Sequence, residues 1–241
     1  REAIIHGNEL FLESDSLELL ALSASTCRTS LSEAKSQHPT PLRLKFPRLK
    51  QLFLDLNCPI LHHAKVTKQG TKLLSKNTAG VPPFSMSTLS QDLCNMSALE
   101  YLAVSSSSPD VDDIFIETVT KSLKRLKVLN IDGSTGLKRV RIDHEGLSEL
   151  ILRNCSTAFS LTLDCPNLRH LALPGCPIRT ADLHIPMLQT LDFKLSSDVS
   201  KVIASSIVRA SPDLVELNGL PFDESHPDAR ELGAEDMCTV S

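Results

Sequence analysis

The chain has 241 residues, 41% of them hydrophobic, enough for a continuous core in one large domain or one elongated array. Its net charge of −4 argues against a molecule that binds nucleic acid by bulk electrostatics. No apolar run approaches the roughly 18 residues that a membrane-spanning helix needs. The opening "REAIIHGNEL" lacks the basic start and apolar core of a signal peptide, and the missing initiator Met reads as a piece excised from a longer protein. With no Trp, one Tyr and eight Phe, the core has to be aliphatic. Seven cysteines, an odd number with no C-x-x-C pair, point to reduced thiols and so to a cytoplasmic or nuclear setting.

From the N-terminus onward, one apolar grid recurs at relative positions 1, 3, 8, 11 and 13. Leu10, Leu12, Leu17, Leu20 and Leu22 fill it first, then Leu42, Leu44, Leu49, Leu52 and Leu54. The polar residues 23–41 between them read as a surface insertion. A second insertion is expected at 61–84, with a degenerate repeat around Leu73 and Leu74 as the alternative, and a helix near Ser87 to Asn95. The half-grid L-x-x-L-x-L stands alone at Leu99, Leu102, Val104 and at Leu126, Leu129, Ile131. Between these, "PDVDDIFIETVTKSLKR" (109–125) sets Val111, Ile114, Phe115 and Val119 at helical spacing. Ser108 is the expected cap, Pro109 suits the first turn, and acids precede bases as the helix dipole prefers. The full grid returns at Val140, Ile142, Leu147, Leu150, Leu152 and at Leu161, Leu163, Leu168, Leu171, Leu173. A fifth copy, Leu183, Ile185, Leu188, Leu191, Phe193, lacks two residues of the break. Another helix is expected at 198–210, through Val199, Val202, Ile203 and Ile207, ended by Pro212. A degraded half-grid at Leu214 and Leu217 closes the series, and residues 221–241, with six acids and one Arg, form an acidic tail or cap.

The central leucines of the eight units, Leu20, Leu52, Leu102, Leu129, Leu150, Leu171, Leu191 and Leu217, are 32, 50, 27, 21, 21, 20 and 26 residues apart. The pattern resembles the leucine-rich repeat, L-x-x-L-x-L-x-x-N/C. "LKQLFLDLN" (49–57) fits through its terminal Asn57; Cys155 and Cys176 hold that position in "LSELILRNC" and "LRHLALPGC"; Ser25, Ser107, Ser134 and Ser196 hold it elsewhere. "CPNLRHLALPGC" is most similar to the cysteine-containing repeats of plant-type F-box/leucine-rich-repeat proteins. L-x-L alternation gives each strand one apolar face, which only stacking on further units can bury. The expected fold is an α/β leucine-rich-repeat solenoid, or horseshoe, of about eight coils over residues 1–220. A parallel sheet would line its concave face. The convex wall would hold short strands in coils of 20 or 21 residues and helices in coils of 26 or 27, since a helix rises only about 1.5 Å per residue.

The open side of that sheet supplies the candidate site. The expected partner-binding residues are Gln51, Phe53, Tyr101, Asn130, Glu149, Ile151, Arg153, His170, Asp192 and Lys194, with exposed Phe53, Tyr101 and Ile151 as anchors. No G-x-S-x-G elbow, Walker loop, H-E-x-x-H or dinucleotide fingerprint occurs, so neither catalysis nor a cofactor is expected. Cys155, Cys165 and Cys176 read as buried thiols because no His falls in register with them, and Cys58, His62 and His63 as surface residues; no metal is expected. His144 beside Glu145 is no catalytic pair, since adjacent side chains point apart. The basic segment 121–141, with Lys121, Lys124, Arg125, Lys127, Lys138, Arg139 and Arg141, reads as a solvated helix end and outer strand, a nucleic-acid backbone being the lesser alternative. The resemblance implies a non-enzymatic protein-interaction scaffold. In its narrowest form it would be the substrate-recognition half of an F-box-type ubiquitin ligase adaptor, reaching the Skp1/cullin machinery through a segment outside this sequence. A scaffold in a signalling, cytoskeletal or immune-receptor assembly is the alternative, and no membrane partner is expected.

Overall fold

The computed structural model describes residues 3–6, 9–23, 42–56, 66–67, 70–71, 86–157, 159–193, 198–223, 226–227 and 232. In chain order its strands begin with β1 (Ala3–His6), β2 (Glu9–Glu13), β3 (Leu19–Ser23), β4 (Leu42–Lys45) and β5 (Gln51–Asp55). A short pair, β6 (Val66–Thr67) and β7 (Gly70–Thr71), and helix α1 (Met86–Cys94) precede β8 (Tyr101–Ser105) and α2 (Asp113–Ser122). Then come β9 (Val128–Asp132), β10 (Arg139–Asp143), β11 (Glu149–Arg153), β12 (Phe159–Asp164), β13 (His170–Ala172), β14 (Ile178–His184) and β15 (Thr190–Asp192). Helix α3 (Asp198–Arg209), β16 (Glu216–Leu217) and β17 (Leu220–Pro221) complete the series. The chain is thus mixed α/β with few helices and largely parallel sheets.

The leucine grid sets the main sheet. Its nine strands run β17-β16-β15-β13-β11-β9-β8-β5-β3, parallel throughout except for the β16–β17 hairpin. The eight central leucines named above are successive Cα partners across it. Period-two alternation then places Leu54, Val104, Ile131 and Leu152 on the same inner side, all buried. Register is reinforced before each strand by one repeated pair of hydrogen bonds. The carbonyl two residues ahead of a central leucine accepts from two consecutive N–H groups of the next unit. Glu18 accepts from Lys50 and Gln51, Lys50 from Glu100 and Tyr101, Glu100 from Lys127 and Val128, and so on to Gln189, which accepts from Val215 and Glu216.

The gap in the middle of the grid is a turn. Leu49, Leu168, Leu188 and Leu214 each donate their N–H to the carbonyl three residues earlier, at 3.0–3.2 Å, and the residue after that carbonyl is Pro47, Pro166, Pro186 or Pro212. Proline's fixed φ suits the second position of such a turn, where no N–H is required.

The wall opposite the main sheet follows the unit length, as expected. Units of 20 and 21 residues supply β10, β12 and β14, a parallel three-stranded sheet in that order, while the longer units supply α2 against β10 and α3 against β14. The helix expected near residue 87 is α1, which packs on α2 and β4. Buried Asp92 ties it to β4, accepting from the Leu44 N–H at 2.7 Å and from Arg43 Nε at 3.1 Å. In the first two units β2 pairs with β4 in parallel, so Leu10 meets Leu42 and Leu12 meets Leu44.

Three local expectations are corrected. Helix α2 starts at Asp113 and is capped by Asp112, whose Oδ1 accepts from the Phe115 N–H at 2.9 Å. Ser108 instead joins Asp110 in a separate turn before it. The inward stripe is Phe115, Ile116, Val119 and Thr120, leaving Ile114 71% exposed; in α3 it is Ile203, Ala204, Ile207 and Val208, leaving Val202 68% exposed. Both helices are turned one residue from the expected phase, because a stripe at i, i+1, i+4 and i+5 leaves residue i−1 about 100° outside it. At the end of β8, Ser107 is exposed and its neighbours Ser106 and Ser108 are buried, so the repeat's terminal position has slipped there.

The insertion at 23–41 and the alternative repeat at Leu73 and Leu74 lie largely outside the described residues. Within 61–84 the described part is the antiparallel pair β6–β7. Of the tail, His226 and Leu232 are buried, and the His226 ring bonds the Leu217 carbonyl at 3.2 Å, over the last unit. No helix among the described residues is long and apolar enough to cross a membrane.

Leu171, 1% exposed in the middle of the row, tests the packing. Leu171→Ala is expected to cost about 2–5 kcal/mol in urea unfolding, and Leu171→Asp to abolish the cooperative transition, since it buries an unpaired charge. Parent-like stability of the Asp variant would contradict the packing.

Candidate partner-binding face

Residues that alternate with the inward leucines form three columns on the other side of the main sheet. The first carries Gln51, Tyr101, Val128, Glu149, His170 and Thr190; the middle one Phe53, Ala103, Asn130, Ile151, Ala172 and Asp192; the third Asp55, Ser105, Asp132 and Arg153. Of the expected site residues, Gln51, Arg153, His170 and Asp192 are exposed there, and Phe53, Tyr101, Asn130 and Glu149 are half-buried. Ile151 is corrected: it is 9% exposed and is no open anchor. It sits among Glu149 and Arg153 on its own strand and has Asn130 and Ala172 as its register partners on the neighbouring ones. Lys194 lies outside the described residues.

The structure brings the expected residues together in two groups. Toward the N-terminal end, the Phe53 and Tyr101 rings, diagonal neighbours on β5 and β8, have centroids 4.7 Å apart at 33°. Beside them the methyl of Ala103 stands between Phe53 and Asn130 in the middle column. A cavity of about 420 Å³ opens there, and its lining also includes Ala21 and Leu22 of β3 and Asp55, Ser105, Asp132 and Arg153. Asn130 Oδ1 is buried and has no hydrogen-bond partner. Asp132 accepts from Asn154 Nδ2 at 2.9 Å. Asn154 adopts a left-handed backbone (φ 51°), and Gly175 of the next unit faces it closely: a Cβ there would lie 3.0 Å from Asn154 Oδ1. Toward the C-terminal end, Glu149, Arg153, His170, Asp192 and Glu216 surround a second hollow of about 340 Å³ floored by Ile151 and Ala172. There His170 Nδ1 meets Thr190 Oγ1 at 2.6 Å.

The alternation in the sequence places Ala103, Asp55 and Asp132 on this outward face too, although they are not among the expected partner-binding residues. The signal was present: an alanine between a phenylalanine and an asparagine in one outward column, with Asp, Ser and Asp one step further along.

Other candidates fall away from this face. Cys155 and Cys165 are buried, and no disulfide joins them or the half-buried Cys94 and Cys176. Cys155 and Cys176 occupy matching places in adjacent units; the Cys176 thiol beside it and then burial push the Cys155 thiol up. Burial pushes the Cys165 thiol up to about 12, and that thiol points to the Ile142 carbonyl at 3.8 Å. Among the described residues no group of three or more His, Cys, Asp or Glu is placed to hold a metal; Cys58, His62 and His63 lie outside them. His144 is buried and clamps its turn, with Nε2 3.0 Å from the Leu123 carbonyl and Nδ1 accepting from the Gly146 N–H at 3.1 Å, an arrangement that a neutral ring satisfies.

Two lysines of the basic segment are paired with acids. Lys121 pairs with Glu117 at 2.5 Å and Lys127 with Glu100 at 2.7 Å. Hydrogen bonds from these lysines, with Arg141 near Glu117 and Lys50 and Arg125 near Glu100, hold both carboxyls below the usual range. Arg139 and Arg141 project from the outer side of β10, away from the main sheet.

The raised Cys165 thiol carries a pH dependence. An ordinary thiol titrates near 9.0, so the folded state keeps a proton that the unfolded chain releases first. Its contribution to stability should be complete below about pH 9 and be lost as pH rises toward 12. Urea unfolding from pH 7 to 11 measures this, with Cys165→Ala expected to flatten the alkaline fall; alkylation of the native Cys165 by iodoacetamide at the rate of a free thiol would contradict it. Comparison of the chain with protein-family models and with curated proteins gave no match, so the reading of this face rests on its geometry.

Proposed function

We propose that the chain is a leucine-rich-repeat solenoid acting as a non-enzymatic protein-interaction scaffold, and that the main sheet is the concave face that grips its partner. The observation that carries the reading is the in-register leucine row. It commits one side of eight strands to the core and leaves the alternate residues of those same strands outward as a continuous surface. That surface combines half-buried aromatic rings with exposed charge, the composition from which protein interfaces draw their anchors and rims. The reduced, inward thiols fit a cytoplasmic or nuclear setting.

In its narrower form, the proposal makes the chain the substrate-recognition part of an F-box-type ubiquitin ligase adaptor, coupled to the Skp1/cullin machinery through a segment outside this sequence. What supports it is the resemblance of the cysteine-ended repeats, with Cys155 and Cys176 stacked in adjacent units. A scaffold in a signalling, cytoskeletal or immune-receptor assembly shares the same face and differs in what co-purifies.

Affinity capture with mass spectrometry tests both levels. Because Phe53 and Tyr101 are only half-buried, the double variant Phe53→Ala, Tyr101→Ala is expected to keep the parent's unfolding midpoint within a few degrees. It should lose about 2 kcal/mol or more of partner affinity, the scale of an interface hot spot. Undiminished capture by that variant would remove the face from consideration. Capture without Skp1 or a cullin by the full-length protein would remove the ligase form alone.

A further inference from the structure

We propose that Cys176 is a modification site for small-molecule disulfides, and that Cys155 of the preceding unit resolves the product into a bridge between the two units. Register brings the two residues together. The pairing of Ile151 with Ala172 continues beyond the strands: the Asn154 N–H donates to the Pro174 carbonyl at 3.0 Å, and a Cβ on Gly175 would lie 3.5 Å from Asn154 Cα. Cys155 and Cys176 come next, in that register one strand spacing apart, about 4.8 Å. A disulfide spans roughly 4.4–6.8 Å between Cα atoms. Both side chains turn to the same strand end, Cys155 Sγ to the Arg153 carbonyl at 3.5 Å and Cys176 Sγ to the Leu152 carbonyl at 3.1 Å.

Burial divides the roles. Cys155 is buried and Cys176 half-buried, so a reagent from solution meets Cys176 first. The Cys155 thiol, whose hydrogen turns from the Arg153 carbonyl to the Cys176 sulfur, holds the Cys176 thiol below its usual range against the effect of burial, and the Cys155 backbone N–H adds to this. The same contact, followed by burial, keeps the proton on Cys155. The Cys176 thiolate attacks one sulfur of a disulfide such as oxidised glutathione. The reagent's S–S bond breaks, and its departing thiolate takes the proton that Cys176 shed. Cys155 then attacks the Cys176 sulfur of the mixed disulfide and gives its proton to the second departing thiolate. The two cysteines lose two electrons together, and the reagent is reduced to two thiols. Reverse exchange with excess thiol, the ordinary condition of a reducing compartment, restores both cysteines.

The test uses the full chain, reduced and desalted, with oxidised glutathione as the probe near neutral pH. Samples are quenched with acid and N-ethylmaleimide and mapped by mass spectrometry without reduction; cleavage before Asp164 separates Cys155 from Cys165. In the parent, glutathione is expected on Cys176 first, giving way to a linked Cys155–Cys176 peptide. Cys165, buried and with its thiol pushed up to about 12, is the internal comparison, and should react at least about tenfold more slowly. Cys155→Ser sets at that place the residue that buried Ser134 supplies in the preceding unit, so the fold is kept; it should hold glutathione on Cys176 unresolved. Cys176→Ser should leave Cys155 a free thiol. Glutathione that persists on Cys176 in the parent, a bridge from Cys176 to any other cysteine, Cys155 reacting in Cys176→Ser as fast as Cys176 does in the parent, or Cys176 reacting no faster than Cys165 overturns the proposal. The parent's time course reads the order of events by itself, so an unfolded variant leaves the test intact.

Discussion

A leucine pointing inward from one five-residue strand cannot hold that strand in place. Fixing its backbone costs about 5–10 kcal/mol of conformational entropy, while burying its two inward side chains contributes about 3–6 kcal/mol. The deficit closes only when a neighbour supplies the other side of the contact and a ladder of hydrogen bonds. Each unit of this chain depends on that exchange: the central leucines adjoin one another from Leu20 to Leu217, and those from Leu52 onward are buried. The rest of the molecule answers to the same constraint. Proline turns lead into β5, β13, β15 and β16, and the length of each unit decides whether a strand or a helix closes its far side.

The functional face is a by-product of this arrangement. A strand whose alternate residues are fixed inside must show the others, and a shift by one residue would exchange the two sets. The register that buries Leu52, Leu102 and Leu129 therefore also sets Phe53 beside Ala103 and Asn130. The alternating Glu18, Lys50, Glu100 and Lys127 at the entrance to the sheet belong to the same register. Glu18 bonds Lys50 at 3.1 Å and Glu100 bonds Lys127 at 2.7 Å. These exposed pairs add little stability, but an error in pairing would set like charges side by side.

Much of this was legible in the sequence because the L-x-x-L-x-L signal has period two and repeats. Eight central leucines chosen from spacing alone are the eight that pair, and the 20- and 21-residue steps correctly announced strands in the far wall. Helix phase was less legible. Ile114 and Val202 are apolar and suitably spaced, yet point to water, because where a helix starts fixes its rotation and the Asp112 cap was hidden among several acids. The site was legible as columns but not as depth. Nothing in "ELILR" says that Ile151 is 9% exposed, and the cavity over Ala103 is a property of five strands together.

The central claim is that the units pair in one continuous register, and amide hydrogen exchange reads it most directly. The N–H groups that bridge successive units, those of Lys127, Val128, Ser148, Glu149, Arg169, His170, Gln189 and Thr190, each donate to the preceding unit. The account predicts that these amides exchange slowly and with similar opening free energies, as one cooperative block. Fast exchange at them, at the rates of an unstructured chain, would contradict it.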